Sequence, residues 1–130
     1  MARTYLAFMD RMIAGYFTLS IRCLRVPEDQ NISKQLCNKM NIDPDNDATQ
    51  GYLSGQLGRA DNPYKGMGAD LLDDAIEYVM IANEFVGCRV IRVDCADESI
   101  PYYEQHGFRY LCTTEATSDK PPIDQMIYIL

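Results

Sequence analysis

"NPYKGMGADLLDDAIEYV", Asn62–Val79, is the stretch on which the fold turns. Turn-formers and a lysine lead into Gly66-Met67-Gly68, and a helical pattern starts at once. Leu71, Leu72, Ala75, Ile76, Val79, Met80 and Val86 recur at helical spacing. Asp70, Asp73, Asp74, Glu77 and Glu84 fall mostly on the other face, and Gly87 offers a C-terminal stop. Just upstream, "GYLSGQLGRA" (Gly51–Ala60) reads as a strand punctuated by glycine. Glycine within a strand marks a bulge or the close approach of another backbone. A strand, a glycine-rich turn and a helix together make an anion cradle. The first amides of the helix lack intrahelical partners, and the helix dipole favours negative charge there. An ordinary tight turn would use the same residues. The loop is neither a Walker A motif nor a complete dinucleotide fingerprint, since Leu71 stands where the third glycine belongs.

The flanking chain supplies more strands. "TYLAFM" (Thr4–Met9) is apolar and aromatic with no breaker. Asp10-Arg11 breaks it, and Met12–Val26 reads as a long second strand with Thr18, Ser20 and Arg22 on a polar face. The two form an antiparallel hairpin. Residues 27–50 are polar and irregular, with a short helix over Ser33–Met40. Beyond the long helix, Cys88–Ala96 reads as a buried strand and "DESIPYYEQHG" as a short helix capped by Asp97 or Ser99 and stopped by Gly107. Phe108–Cys112 and Ile123–Leu130 complete the set. The order is strand, strand, strand, helix, strand, helix, strand, strand. Its strand-helix-strand units imply an α/β fold: a mixed sheet with a parallel pair at its centre.

At 130 residues the chain is expected to form a single domain, 1–130, with a core that needs no staples. A net charge of -7 argues against a broad nucleic-acid footprint. The five cysteines include no CxxC pair and the chain has one histidine, so no metal site is expected and the thiols read as reduced. Asp43, Asp45 and Asp47 match the start of an EF-hand loop, but Ala48 and Ser54 replace its glycine and glutamate. No apolar run reaches the ~18 residues of a membrane span, and "MARTYLAFMD" does not read as a signal peptide. A cytoplasmic location without membrane contact is expected.

In order and spacing, "GQLGRADNPYKGMGADLLDDAIEYV", "CRVIRVDCA" and "SIPYYEQHGFRYL" resemble the GNAT superfamily of acetyl-CoA-dependent N-acetyltransferases. The resemblance implies a mixed, mostly antiparallel twisted sheet with flanking helices. It also implies acetyl-CoA as co-substrate and direct acetyl transfer to a primary amine on a small molecule or peptide. Backbone groups near Leu57, Gly58 and Arg59 would meet the acetyl and pantetheine part of the cofactor. Lys65, Gly66, Met67, Gly68 and Ala69 would hold the pyrophosphate, with Pro63 where the family usually has Gln or Arg. Tyr103 would protonate the departing thiolate, and Tyr102 would pack. The carboxylate that many members keep on the third strand is replaced by Gln56, so no general base is assigned. An acceptor with a low pKa, such as an α-amino group near 7.7, needs the least help.

Within the superfamily the pattern is similar to the toxin branch that acetylates aminoacyl-tRNA and is neutralised by an antitoxin. A tRNA or antitoxin partner, or a homodimer, would follow from that likeness. The family usually carries a strand and one or two helices ahead of the position where this sequence starts in a strand, so a shortened front is expected. A non-catalytic acyl-CoA-binding protein is the alternative of a different class.

Overall fold

The computed structural model describes residues 2–9, 11–26, 32–59 and 67–130. Six strands and three helices alternate along the chain: β1 Arg3–Met9, β2 Met12–Arg25, α1 Lys34–Met40, β3 Ala48–Arg59, α2 Met67–Val86, β4 Val90–Cys95, α3 Ile100–Gln105, β5 Arg109–Thr113 and β6 Asp124–Ile129. A 3₁₀ turn, Asp97–Ser99, precedes α3. The strands form one sheet in the order β1-β2-β3-β4-β6-β5, in which β3 and β4 alone run parallel. This is the mixed α/β sheet that the order of elements implied, with its parallel pair at the centre.

Strand alternation divides the core between two faces. On β4, Ile91 and Val93 join Tyr52, Leu72, Val79, Phe108 and Met126 under α2 and α3. Val90 instead joins Leu24, Met40, Leu111 and Ile127 on the opposite face. There α1 is anchored through Met40, which is fully buried. Its N-cap is Ser33, whose hydroxyl accepts from the Leu36 amide at 3.2 Å. Further along the α2 face, Phe17, Ala14, Leu71 and Ala75 pack together. Tyr5 stacks on Phe17 and on Tyr78 of α2, with ring centroids 5.1 and 4.7 Å apart.

Each end of the sheet has a local cause. Arg11 adopts φ 68° in the turn joining β1 to β2. The Asp43 carboxylate accepts from the Asp45 amide at 3.0 Å and from the Asn46 side chain, closing a turn that starts β3 at Ala48. The aspartates of this segment are therefore turn-formers, and β3 begins three residues earlier than its sequence suggests. No described helix is long and apolar enough to cross a membrane.

Candidate functional site

The central feature is a parting of β3 from β4. The two strands pair only at Tyr52–Ile91, Leu53–Arg92 and Ser54–Val93. After Ser54, β3 stays bonded to β2 as far as Arg59, while β4 stays bonded to β6 as far as Cys95. The cause is a bulge. Between the pairs Phe17–Leu57 and Leu19–Ser54, β2 supplies one residue and β3 supplies two, Gly55 and Gln56. The extra residue bends β3 where its pairing to β4 ends. Gly55 belongs there for packing reasons too, because a Cβ would lie 2.9 Å from the Thr18 hydroxyl. A cleft thus opens at the carboxyl ends of two parallel strands, where open α/β sheets place their ligands.

Leu57, Gly58 and Arg59 form the β3 side of this opening, with their backbones paired to Phe17, Tyr16 and Gly15 of β2. Among the described residues, no strand pairs with β3 on its other side beyond Ser54. Met67, Gly68 and Ala69 form the first turn of α2, which is followed by Asp70. Lys65 and Gly66 lie outside the described residues.

Tyr103 approaches from the β4 side, on α3. The helix ends in a Schellman motif: the Phe108 amide donates to the Tyr103 carbonyl at 3.1 Å and the Gly107 amide to the Glu104 carbonyl at 3.1 Å. Gly107 takes φ 90° there. The motif brings Phe108 back under the Tyr103 ring, centroids 5.5 Å apart and nearly edge-on, while Tyr102 packs on the other side at 5.3 Å. Tyr103 is half-buried. Burial, then the Cys95 thiol and Tyr102, push its hydroxyl above the usual tyrosine range, so it keeps its proton at neutral pH. His106 links α3 to α2, its Nδ1 4.0 Å from the Asp73 carboxylate.

An acidic pair that the sequence did not reveal closes the far end of β4. Cys95 is paired across the sheet with Asp124, which is 3% exposed. The Thr113 hydroxyl donates to Asp124 at 2.7 Å, and Tyr110 bonds Thr113 in turn. Asp97, just past β4, is coupled to the same carboxylate. Its pKa is raised first by the Asp124 side chain, and Asp124 is held low by Asp97 and by Thr113. No sequence signal ties Asp97 to Asp124, because register alone brings them together. The same carboxylates, after burial, push the Cys95 thiol upward, so it is not a ready nucleophile. None of the five cysteines is in a disulfide, and among the described residues no group of side chains could hold a metal ion.

Several solved structures share this architecture. AtaT complexed with acetyl-methionyl-tRNAfMet matches with a TM-score of 0.69 at 21% identity, over 95% of this chain and 69% of that one. A structure described as a bacterial toxin matches at 0.65 and 21%, over 90% and 60%. The NatC complex bound to Gag peptide and CoA matches at 0.63 and 14%, over 98% and 70%. The chain thus spans about 60–70% of the length of these structures. No protein-family model matches it, and no curated protein matches it in sequence. The parting strands, the first turn of α2 and the shared topology give the chain a GNAT-like fold.

Proposed function

We propose that the chain is an acetyl-CoA-dependent N-acetyltransferase acting on a primary amine. The observation that carries this reading is the parting of β3 from β4 with the start of α2 and Tyr103 at the same end of the parallel pair. The free edge of β3 suits an extended chain of amides such as pantetheine, which can add to it as a strand would. The first amides of α2, with Lys65–Ala69, suit a pyrophosphate. A neutral amine attacks the thioester carbonyl, the C–N bond forms, and collapse of the tetrahedral adduct breaks the C–S bond. The Tyr103 hydroxyl donates to the departing sulfur, and the ammonium proton passes to solvent or to a base. Three of the matched structures are tyrosine-to-phenylalanine mutants, two of AtaT and one of KacT, which agrees with a functional tyrosine in such folds.

A 100-fold excess of acetyl-CoA over its Kd should stabilise the protein by about 2.7 kcal/mol. Tyr103→Phe should leave that thermal shift intact and slow thiol release with an amine acceptor by roughly 10²-fold or more. The absence of any shift at millimolar acetyl-CoA would remove the cofactor assignment. A shift without turnover on any amine leaves a non-catalytic acyl-CoA-binding protein.

A second reading, acetylation of aminoacyl-tRNA, draws on the matched toxin complex with acetyl-methionyl-tRNAfMet. The α-amino group of an aminoacyl ester has a low pKa, which suits a site with no assigned base. Expression should then arrest growth, and Tyr103→Phe should relieve the arrest; healthy growth counts against it. A cytoplasmic setting fits five cysteines with no disulfide among them.

A further inference from the structure

At the opposite end of the sheet, α2 stops short of the strands beneath it. The helix ends at Val86, and Gly87 turns the chain away with φ 76°. Beyond that point β2 and β3 continue through the pairs Cys23–Gln50 and Arg25–Ala48. Alternation from Ile21 and Tyr52 puts these four residues on the α2 face. The uncovered strip is walled by the end of α2 and by the turn that holds Asn41 and Asp43, enclosing about 710 Å³. That is the size of a small-molecule site and much larger than a bare ion needs.

The chemistry of the walls is cationic in a protein of net charge -7. Arg25 and Arg89 line the cavity, and neither makes an ion pair with another described residue. Among the described residues its one carboxylate, Asp43, is engaged by the Asp45 amide and the Asn46 side chain. Asn41, Thr49 and Gln50 add polar groups, and Ile21 and Val86 give an apolar side.

We propose that this cleft binds a phosphorylated small molecule, with its phosphate between the Arg25 and Arg89 guanidiniums and its less polar part against Ile21 and Val86. Two guanidiniums offer a phosphate the forked geometry of their donors, and the described walls stay cationic with Asp43 included. The site is separate from the parting of β3 and β4, at the other end of the same strands.

The test is titration of the whole chain with AMP, inorganic phosphate and acetate, followed by backbone amide NMR. AMP should move the Thr49, Gly87 and Arg89 amides saturably, inorganic phosphate more weakly, and acetate least. Arg25→Gln and Arg89→Gln, both at exposed positions, should each weaken AMP roughly tenfold while the remaining spectrum keeps its dispersion. Absence of saturable movement at these amides up to about 20 mM of every probe would overturn the proposal. Undiminished AMP binding in the double variant would overturn it too, as would acetate binding as well as phosphate.

Discussion

Substituting Gly107 by alanine tests the geometry that seats Tyr103. Gly107 is the left-handed residue of the α3 Schellman motif, with φ 90°. Holding an L-residue in that region costs about 1–2 kcal/mol. A new Cβ would also sit 3.0 Å from Cε2 and 3.5 Å from Cδ2 of Tyr128. That ring packs on Phe108, with centroids 5.4 Å apart, so it has little room to retreat. Overpacking of this kind costs about 1–3 kcal/mol, bringing the total to roughly 2–5 kcal/mol. Gly87 is the natural control. It has φ 76° but nothing within 4 Å of a built Cβ, so Gly87→Ala should cost only the backbone share, about 1–2 kcal/mol. Urea denaturation at constant m reads both. A Gly107→Ala variant within about 0.5 kcal/mol of the parent, or no worse than Gly87→Ala, would refute the reasoning. The first result would show that the turn tolerates an L-residue, and the second that Tyr128 yields freely.

Other perturbations address the remaining parts. Met40→Ala should cost about 2–5 kcal/mol, because it empties the point where α1 meets the sheet; a urea midpoint within error of the parent would refute that. The pair Asp97–Asp124 should make stability pH-dependent in two windows. Asp97 has a raised pKa, so its contribution is complete at low pH and is lost as pH rises through that value, above the usual carboxylate range. Asp124 is depressed, so its contribution holds at higher pH and is lost as pH falls through its low value. Asp97→Asn should abolish the first loss, and an unchanged pH profile of the urea midpoint would dismiss the coupling. Phe85, 86% exposed on α2, should tolerate Phe85→Ser within about 0.5 kcal/mol while reducing self-association, as light scattering would show.

The elements with strong local signals were legible in sequence. The α2 stripe from Leu71 to Val86 marks a helix whose buried face is Leu71, Leu72, Ala75 and Val79. The glycines of the third strand pointed to a bulge or to a close approach to a ligand, and the structure has a bulge at Gly55 and Gln56. Gly107 foretold the end of α3. What escaped was set by long-range pairing. Nothing in β5 or β6 says that β6 slots between β4 and β5, since both are short apolar runs with no signal for their neighbours. The same register creates the Asp124–Cys95 pair and thereby the acidic contact with Asp97. β3 was read too short because three aspartates looked like loop, when one of them closes the turn that launches the strand.

The extra residue of β3 has a consequence for how such a cleft can change. Its existence depends on a count, two residues facing one across β2 and β3, and not on the identity of the side chains that line it. Substitutions along the walls can therefore vary what is bound while the opening persists. Losing one residue at Gly55–Gln56 would restore a one-to-one ladder, keep Leu57, Gly58 and Arg59 opposite Phe17, Tyr16 and Gly15, and let the strand run on beside β4. Binding preference can drift by single substitutions, whereas the capacity to bind at all stands or falls with one codon's length.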